Sequence, residues 1–249
     1  MKHLENNLNK VYDIFFNELN IDKNSGIIND IMQNKRFATK IAIGENYINA
    51  KKKILFVSLD IGKDENFVEK KENKFQDFEQ RRNSVCSIGN LQDKNPHMAG
   101  VYGTALYFLK EYNNWENSWQ LLESKNNFFR EALISEYNNL PQDVLSNISL
   151  INFYNFVTVG REARTGGNDR NFIDEKKELE LLTEIIKTVN PDIIIVQSKT
   201  LKNYFNNIIK PKISNKIDIY VGYHPSVFGR GIKYRNPKKY VENLLSNKL

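Results

Sequence analysis

The sequence predicts an α/β protein in which a mainly parallel sheet of four strands lies between two layers of helices. Four short segments rich in Ile, Val and aromatic residues are apolar almost throughout, as strands covered on both faces are. Segments with helical spacing of their apolar residues lie between them, and strands that alternate with helices form such sheets. Because no repeat or linker interrupts the chain, we expect one three-layer α/β/α domain over residues 1–249.

Residues 1–50 are predicted to form an N-terminal helical extension of that domain. Leu4, Leu8 and Val11 recur at intervals of three and four residues, and Phe15 continues the stripe. This is the period of an amphipathic helix that buries one face.

The remaining elements follow from apolar runs and from proline. The predicted strands span residues 54–59, 150–157, 192–198 and 217–222. Helices are expected over residues 104–112, 128–140, 179–189 and 201–208, and from residue 236 onward. Asn190-Pro191 ends one of these helices, because the residue before a proline disfavours helical geometry. Asn236-Pro237 starts the last one with an asparagine cap and a proline in the first turn.

Composition and charge limit the classes of function. Cys86 is the only cysteine, so neither an intrachain disulfide nor a four-cysteine zinc or iron–sulfur site is expected, and three scattered histidines make no metal site. We therefore expect no cofactor. The net charge of +6 permits DNA as a partner, and residues 226–249 contain six basic side chains against Glu242. The chain shows neither a secretory signal nor a membrane span, which predicts a cytoplasmic protein without a membrane partner. A monomer is the expected state.

Polar residues follow three of the predicted strands. Ligands of open α/β sheets bind where loops leave the carboxyl ends of the strands. Asp60 follows the first strand, Asn155 lies near the end of the second and His224 follows the fourth. Asn152 points to the opposite face from Asn155, and either amide could face the ligand.

Each of these side chains fits a ligand role and a plainer one. The carboxylate of Asp60 can orient water or stabilise positive charge. The same residue is explained equally well as one that forms a turn. The amide of Asn155 can form hydrogen bonds with the edge of a base. Taken alone, however, this residue is better explained as an asparagine whose side chain bonds to nearby backbone. The imidazole of His224 can stabilise an anionic leaving group, or it can be structural.

Two basic loops could contact phosphates. The candidate DNA-binding residues of these loops are Arg161, Arg164, Ser226, Phe228, Arg230, Lys233 and Arg235. Glycines between the arginines let backbone N–H groups approach phosphates, and an exposed aromatic ring can wedge into a base stack.

In order and spacing, residues 58–62 (SLDIG), 153–157 (FYNFV) and 224–226 (HPS) resemble the motifs of the uracil-DNA glycosylase superfamily. The resemblance implies a monofunctional DNA glycosylase that hydrolyses the N-glycosidic bond of uracil or a related modified base flipped out of DNA. It also implies catalytic roles for Asp60 and His224 and base binding by Asn155. By the same resemblance, the flipped base would stack on Phe67 or Tyr102, and Val227 or Phe228 would fill the vacated stack.

Departures from the family pattern leave other functions open. Ser58 stands where the family usually has glycine and Ile61 where it usually has proline, so Asp64 or Glu65 could be the working acid instead of Asp60. A catalytically inactive domain that senses DNA or a modified base is therefore the alternative. An enzyme acting on nucleotides through the glycine-rich loop 160–170 is a third class, and the phosphate-binding signature it would need is missing.

Overall fold

The computed structural model describes residues 1–23, 26–29, 35–59, 96–158, 171–225 and 236–249. The helices of these ranges are α1 (Lys2–Glu18), α2 (Pro96–Asn113), α3 (Glu116–Glu123), α4 (Phe129–Glu136), α5 (Glu175–Val189), α6 (Lys202–Tyr204) and α7 (Pro237–Leu245). The strands are β1 (Ile27–Asn29), β2 (Lys35–Ala38), β3 (Ala42–Ile43), β4 (Ile54–Ser58), β5 (Ile148–Asn152), β6 (Phe156–Thr158), β7 (Ile193–Val196) and β8 (Asp218–Val221).

Within the described ranges, the main sheet has five strands in the order β3-β5-β4-β7-β8. The α/β class is thus confirmed, while the expected count of four strands is wrong. β5, β4, β7 and β8 pair in parallel, and β3 adds an antiparallel strand next to β5. The extra strand comes from the N-terminal segment and covers the backbone edge that β5 would otherwise expose.

Helices cover both faces of this sheet, because side chains of a strand alternate between the faces. Phe56 of β4 packs into a core that includes residues of α2, α3, α4 and α7. Val57, the next residue, packs into a second core that includes residues of α1 and α5. The apolar run of β4 is therefore buried on both sides.

The single strand predicted over residues 150–157 is wrong. β5 ends at Asn152, and β6 begins at Phe156 in a different, three-stranded antiparallel sheet ordered β1-β2-β6. Phe153 N–H donates to the carbonyl of Ser58 at 2.7 Å, while the carbonyl of Asn155 accepts from Thr39 N–H at 2.7 Å. The chain thus changes partners between these residues, and apolar Phe153 conceals the break in the sequence pattern.

Residues 1–50, expected to be a helical extension, contain α1 and the three short strands β1, β2 and β3. Helix α1 lies against α5. The hydroxyl of Tyr12 in this helix accepts from the backbone N–H of Ile41 at 2.7 Å, and the ring of Phe15 lies 6.0 Å from that of Phe156. This segment therefore contributes to one of the two main cores.

The two helix boundaries predicted from Asn-Pro pairs are confirmed. Asn190, with a φ of 45°, ends α5 in the left-handed region. The start of that helix was predicted too late, at residue 179, because Asp174 caps it by accepting from Lys177 N–H at 3.0 Å. Asn236 caps α7 by accepting from Lys239 N–H at 2.7 Å. Among the described helices, none is long and apolar enough to cross a membrane.

Candidate functional site

The topology of the main sheet creates a crevice between β4 and β7. After β4 the chain moves to β5 on one side, and after β7 it moves to β8 on the other side. Loops that leave two adjacent parallel strands in opposite directions separate at their carboxyl ends, and open α/β sheets bind ligands at this point. The candidate site is therefore the carboxyl end of β4 and β7.

A row of three buried polar side chains crosses this end of the sheet. Asn152 ends β5, Ser58 ends β4 and pairs with it in register, and Gln197 directly follows β7. Gln197 N–H continues the ladder by donating to the carbonyl of Val57 at 2.9 Å. The three residues are 5%, 2% and 0% exposed. By the two-residue period they share the face of Phe56, under α2. We call these three residues the polar row.

His97, the second residue of α2, joins the polar row. Its Nε2 lies 3.1 Å from Ser58 Oγ and 2.8 Å from Gln197 Oε1, and Ser58 Oγ donates to the same Gln197 oxygen at 2.7 Å. Since a carbonyl oxygen can only accept, the Nε2 of His97 carries a hydrogen in this arrangement. One amide oxygen therefore fixes both the hydroxyl and the imidazole.

This arrangement is not that of a catalytic serine triad. In such a triad the base binds the serine through one ring nitrogen and an orienting group through the other. Here Ser58 and Gln197 both contact Nε2 of His97, and that nitrogen is a donor. His97 is thus not placed to take a proton from Ser58.

His224 stacks on His97. The two ring centroids lie 4.6 Å apart and the planes differ by 19°. The adjacent Pro225 packs against α2 where that helix has Gly100, and a Cβ added to Gly100 would lie 2.0 Å from the Cβ of Pro225. A glycine at this position lets the segment after β8 approach the helix, which brings His224 to the end of the sheet.

Two amide nitrogens of the polar row lack a partner among the described residues. Asn152 Nδ2 and Gln197 Nε2 are both buried without a hydrogen bond. An unpaired buried donor costs on the order of 1–3 kcal/mol, and native proteins retain few of them. At a topological switch point, such donors favour a ligand that brings acceptor atoms.

A cation lies at the margin of the same end of the sheet. Lys199, two residues after Gln197, holds its Nζ 4.2 Å from the ring centroid of Tyr223, the neighbour of His224. The carbonyl of Tyr223 accepts from the hydroxyl of Tyr240 at 2.8 Å. The segments that follow β7 and β8 are therefore in contact with each other, and the first of them carries a positive charge at Lys199.

Asn155 does not join the polar row but pairs with a buried carboxyl group. Its Nδ2 lies 3.5 Å from Oε2 of Glu178 in α5, and both residues are 1% exposed. Oε1 of Glu178 accepts from the backbone N–H groups of Ile173 at 2.6 Å and Asp174 at 3.2 Å. Burial raises the pKa of Glu178 to about 7, and these hydrogen bonds oppose the rise. The contacts of Asn155 in this structure are therefore structural.

Tyr102, one of the two aromatic candidates for base stacking, lies in the core. It is fully buried in α2 and its hydroxyl donates to the carbonyl of Pro141 at 2.6 Å. In this structure its ring offers no free face to a base. The other candidate, Phe67, lies outside the described residues.

All seven predicted DNA-binding residues also lie outside the described residues: Arg161, Arg164, Ser226, Phe228, Arg230, Lys233 and Arg235. The same holds for the candidate acids Asp60, Asp64 and Glu65, and for Ile61 and Val227. Cys86 lies outside them as well, and the described part of the chain contains no group of three His, Cys, Asp or Glu side chains that could hold a metal ion.

Sequence reasoning missed His97 and Gln197 as site residues. Local signals indicate the element on which each residue lies, although not that the two meet. Gln197 continues the two-residue alternation of Ile193 and Ile195, so it points to the same face of the sheet. His97 follows Asn95-Pro96, and the same Asn-Pro pair correctly marked the start of the last helix.

No protein-family model, curated protein or solved structure matches this chain in the three comparisons made with known proteins.

Proposed function

We propose that this chain is a DNA glycosylase that hydrolyses the N-glycosidic bond of uracil or a related modified base flipped out of DNA. The observation that carries the proposal is the polar row beneath the His97–His224 stack at the switch point of the sheet. A mixed five-stranded sheet in which β5, β4, β7 and β8 pair in parallel, with helices on both faces, also supports the proposal.

Asn152 is the residue to which we assign recognition of the hydrogen-bonding edge of the base. The motif resemblance implied Asn155 for this role, although the alternation along the strand left Asn152 open as well, and the proposal now moves the role to Asn152. Asn152 ends a strand beside the switch point with an unpaired buried amide nitrogen, whereas Asn155 is engaged by Glu178. An amide can donate to a base carbonyl and accept from a ring N–H, which is the pattern on the edge of uracil.

His224 stabilises the leaving base. When the bond between the sugar C1′ and the base nitrogen breaks, both electrons stay with the base, which becomes an anion. An imidazole N–H directed at its carbonyl oxygen stabilises that charge. Water adds its hydroxyl to C1′ and releases a proton that neutralises the departing base.

Asp60 is the proposed catalytic carboxylate of this reaction. It follows Ser58 by two residues, and Ser58 is held at the carboxyl end of β4 by Gln197. A catalytic carboxylate can orient the attacking water or stabilise the positive charge that develops on the sugar. The net charge of +6 and the basic loops favour binding to the DNA backbone.

The test is release of free base from a panel of single- and double-stranded oligonucleotides, each carrying one modified base. The wild type is expected to release uracil or a related base and to leave an abasic site. His224→Ala is expected to lower the rate on the order of 100-fold or more, by loss of leaving-group stabilisation. His3→Ala, on α1, is the matched control and should keep the wild-type rate. Salt-dependent binding without release of any base would refute the enzyme and select the sensor.

A further inference from the structure

The segment between β7 and β8 carries positive charge without negative charge. Residues 199–216 contain five lysines and neither aspartate nor glutamate. Helical turns follow one another over residues 199–212. Leu201, Phe205 and Ile209 of these turns are buried in the second core. The exposed lysines of the segment form what we call the lysine surface: Lys202, Lys210, Lys212 and Lys216.

The lysine surface differs from the exposed face of α5, a helix that packs into the same core. On α5, exposed lysines alternate with exposed glutamates, and Lys187 pairs with Glu184 at 2.7 Å. No lysine of the lysine surface forms an ion pair with a residue that the structure describes. Glu175 reaches the segment, but it accepts from the hydroxyl of Tyr204. A face that is only solvated usually mixes both signs, so this excess of positive charge favours an anionic partner.

The chemistry of the lysine surface fits a phosphate backbone better than a lipid surface. Asn203, Asn206 and Asn207 are exposed on the same turns, and their amide N–H groups can donate to phosphate oxygens as lysines do. Roughly 12 Å of helix axis separates Lys202 from Lys210, which covers about three to four phosphates along one strand. A helix that binds lipid inserts an apolar face, whereas the apolar face of this segment is buried in the protein core.

We propose that the lysine surface binds the phosphates of a DNA strand that leaves the candidate site. The inference rests on the proposed function, because it takes DNA as the partner and the end of the sheet as the place where the strand begins. The segment starts at Lys199, two residues after Gln197 of the polar row, and Lys199 lies against Tyr223 beside the crevice. From there its turns cross the face of the sheet and end before β8, which starts at Asp218. The strand can therefore pass from the crevice onto the lysine surface without meeting an acidic side chain of this segment.

The salt dependence of oligonucleotide binding measures these contacts directly. The lysine-surface variant combines Lys202→Gln, Lys210→Gln and Lys212→Gln. Because these side chains are exposed and form no ion pair with a described residue, the melting temperature should stay unchanged. Each lost phosphate contact lowers the slope of log K against log salt by about 0.7–0.9. We therefore expect the slope to fall by about 2 to 3, and the affinity near physiological salt to fall at least about tenfold.

A matched triple variant controls for the loss of charge. Lys10→Gln, Lys23→Gln and Lys187→Gln together also lower the net charge from +6 to +3, at exposed positions on or next to α1 and α5. The slope of this control should stay close to that of the wild type. Equal losses in both triple variants, or a wild-type slope in the lysine-surface variant, would overturn the proposal. Weaker binding of the lysine-surface variant to phosphatidylglycerol vesicles, with unchanged binding to the oligonucleotide, would overturn it as well.

Neutral methylphosphonate linkages locate the contacts on the DNA. Placed on the flank of the target base that meets the lysine surface, they should remove the difference in affinity between wild type and variant. A difference that persists when both flanks are neutral would overturn the assignment. Because these are binding measurements, a wild type that binds but releases no base refutes the glycosylase alone. A wild type that releases base while both triple variants bind like it refutes the lysine surface alone, and a wild type that binds no oligonucleotide refutes both.

Discussion

Substitution of Glu178 by glutamine should make the protein more stable at neutral and alkaline pH. The carboxyl group of Glu178 is 1% exposed, and burial raises its pKa from an ordinary value of about 4.5 to about 7. Between these two values the unfolded chain has lost the proton that the folded protein retains. The free energy of unfolding therefore falls as pH rises through this window, and the contribution is fully present only below about 4.5.

The magnitude follows from the displacement of the pKa. At about 1.4 kcal/mol per pKa unit, this rise in the pKa of Glu178 corresponds to a loss of about 3–4 kcal/mol in the free energy of unfolding between pH 4.5 and pH 7. The oxygen of a glutamine can still accept from the N–H groups of Ile173 and Asp174, and its nitrogen can donate to Asn155 once that amide turns over. Glu178→Gln thus keeps the hydrogen bonds and removes the buried charge.

The assay is urea denaturation of wild type and Glu178→Gln at intervals from pH 4 to pH 9. Subtracting the two curves cancels the titration of all other groups. We expect the difference to favour the variant increasingly up to about pH 7 and to remain level above it. Glu180→Gln, on the exposed side of the same helix, should follow the wild type. A difference between wild type and Glu178→Gln that does not vary with pH would refute the reasoning.

Three further predictions concern the site and its supports. Gly100→Ala should displace Pro225, whose Cβ would lie 2.0 Å away, and lower base release per folded molecule at least tenfold. Gly103→Ala is the control, because its added Cβ would lie 2.3 Å from a neighbouring side chain and overpack the core. It should lower the melting temperature without changing the rate of base release. Equal rates of base release in Gly100→Ala and Gly103→Ala would contradict the role of Gly100. Tyr102→Phe should cost about 1 kcal/mol in urea denaturation and leave oligonucleotide binding unchanged, whereas weaker binding would indicate that the ring stacks on the base. Asn236→Ala should also cost about 1 kcal/mol by loss of the cap, and unchanged stability would argue against that contact.

The parallel strands and most of the helices were predictable because their signals are local, whereas α3 was missed. Ile193–Val196 is apolar throughout and lies between a helix that ends at Asn190 and polar residues that follow it. The break between β5 and β6 was not predictable, since Phe153 is as apolar as its neighbours and only the partners of the backbone change. The short strand β3 was missed because a two-residue strand has no periodicity to detect.

The candidate site was predictable at the level of its place in the sheet. His224 follows the last parallel strand, which brings it to the carboxyl edge by topology alone. The choice between Asn152 and Asn155 as the base-binding residue depended on where β5 ends. The position of His97 at the site depended on how α2 packs over the sheet. Such contacts join residues far apart in the chain, as with Ser58 and Gln197, and no local pattern reports them.

The most direct test of the central claim compares single-turnover base release by Asn152→Ala and Asn155→Ala on the oligonucleotide that the wild type cleaves. If the base is read at the carboxyl end of the sheet, Asn152→Ala should lose on the order of 100-fold in rate. Asn155→Ala should keep the rate per folded molecule and lose stability through Glu178. A wild-type rate in Asn152→Ala would contradict the account.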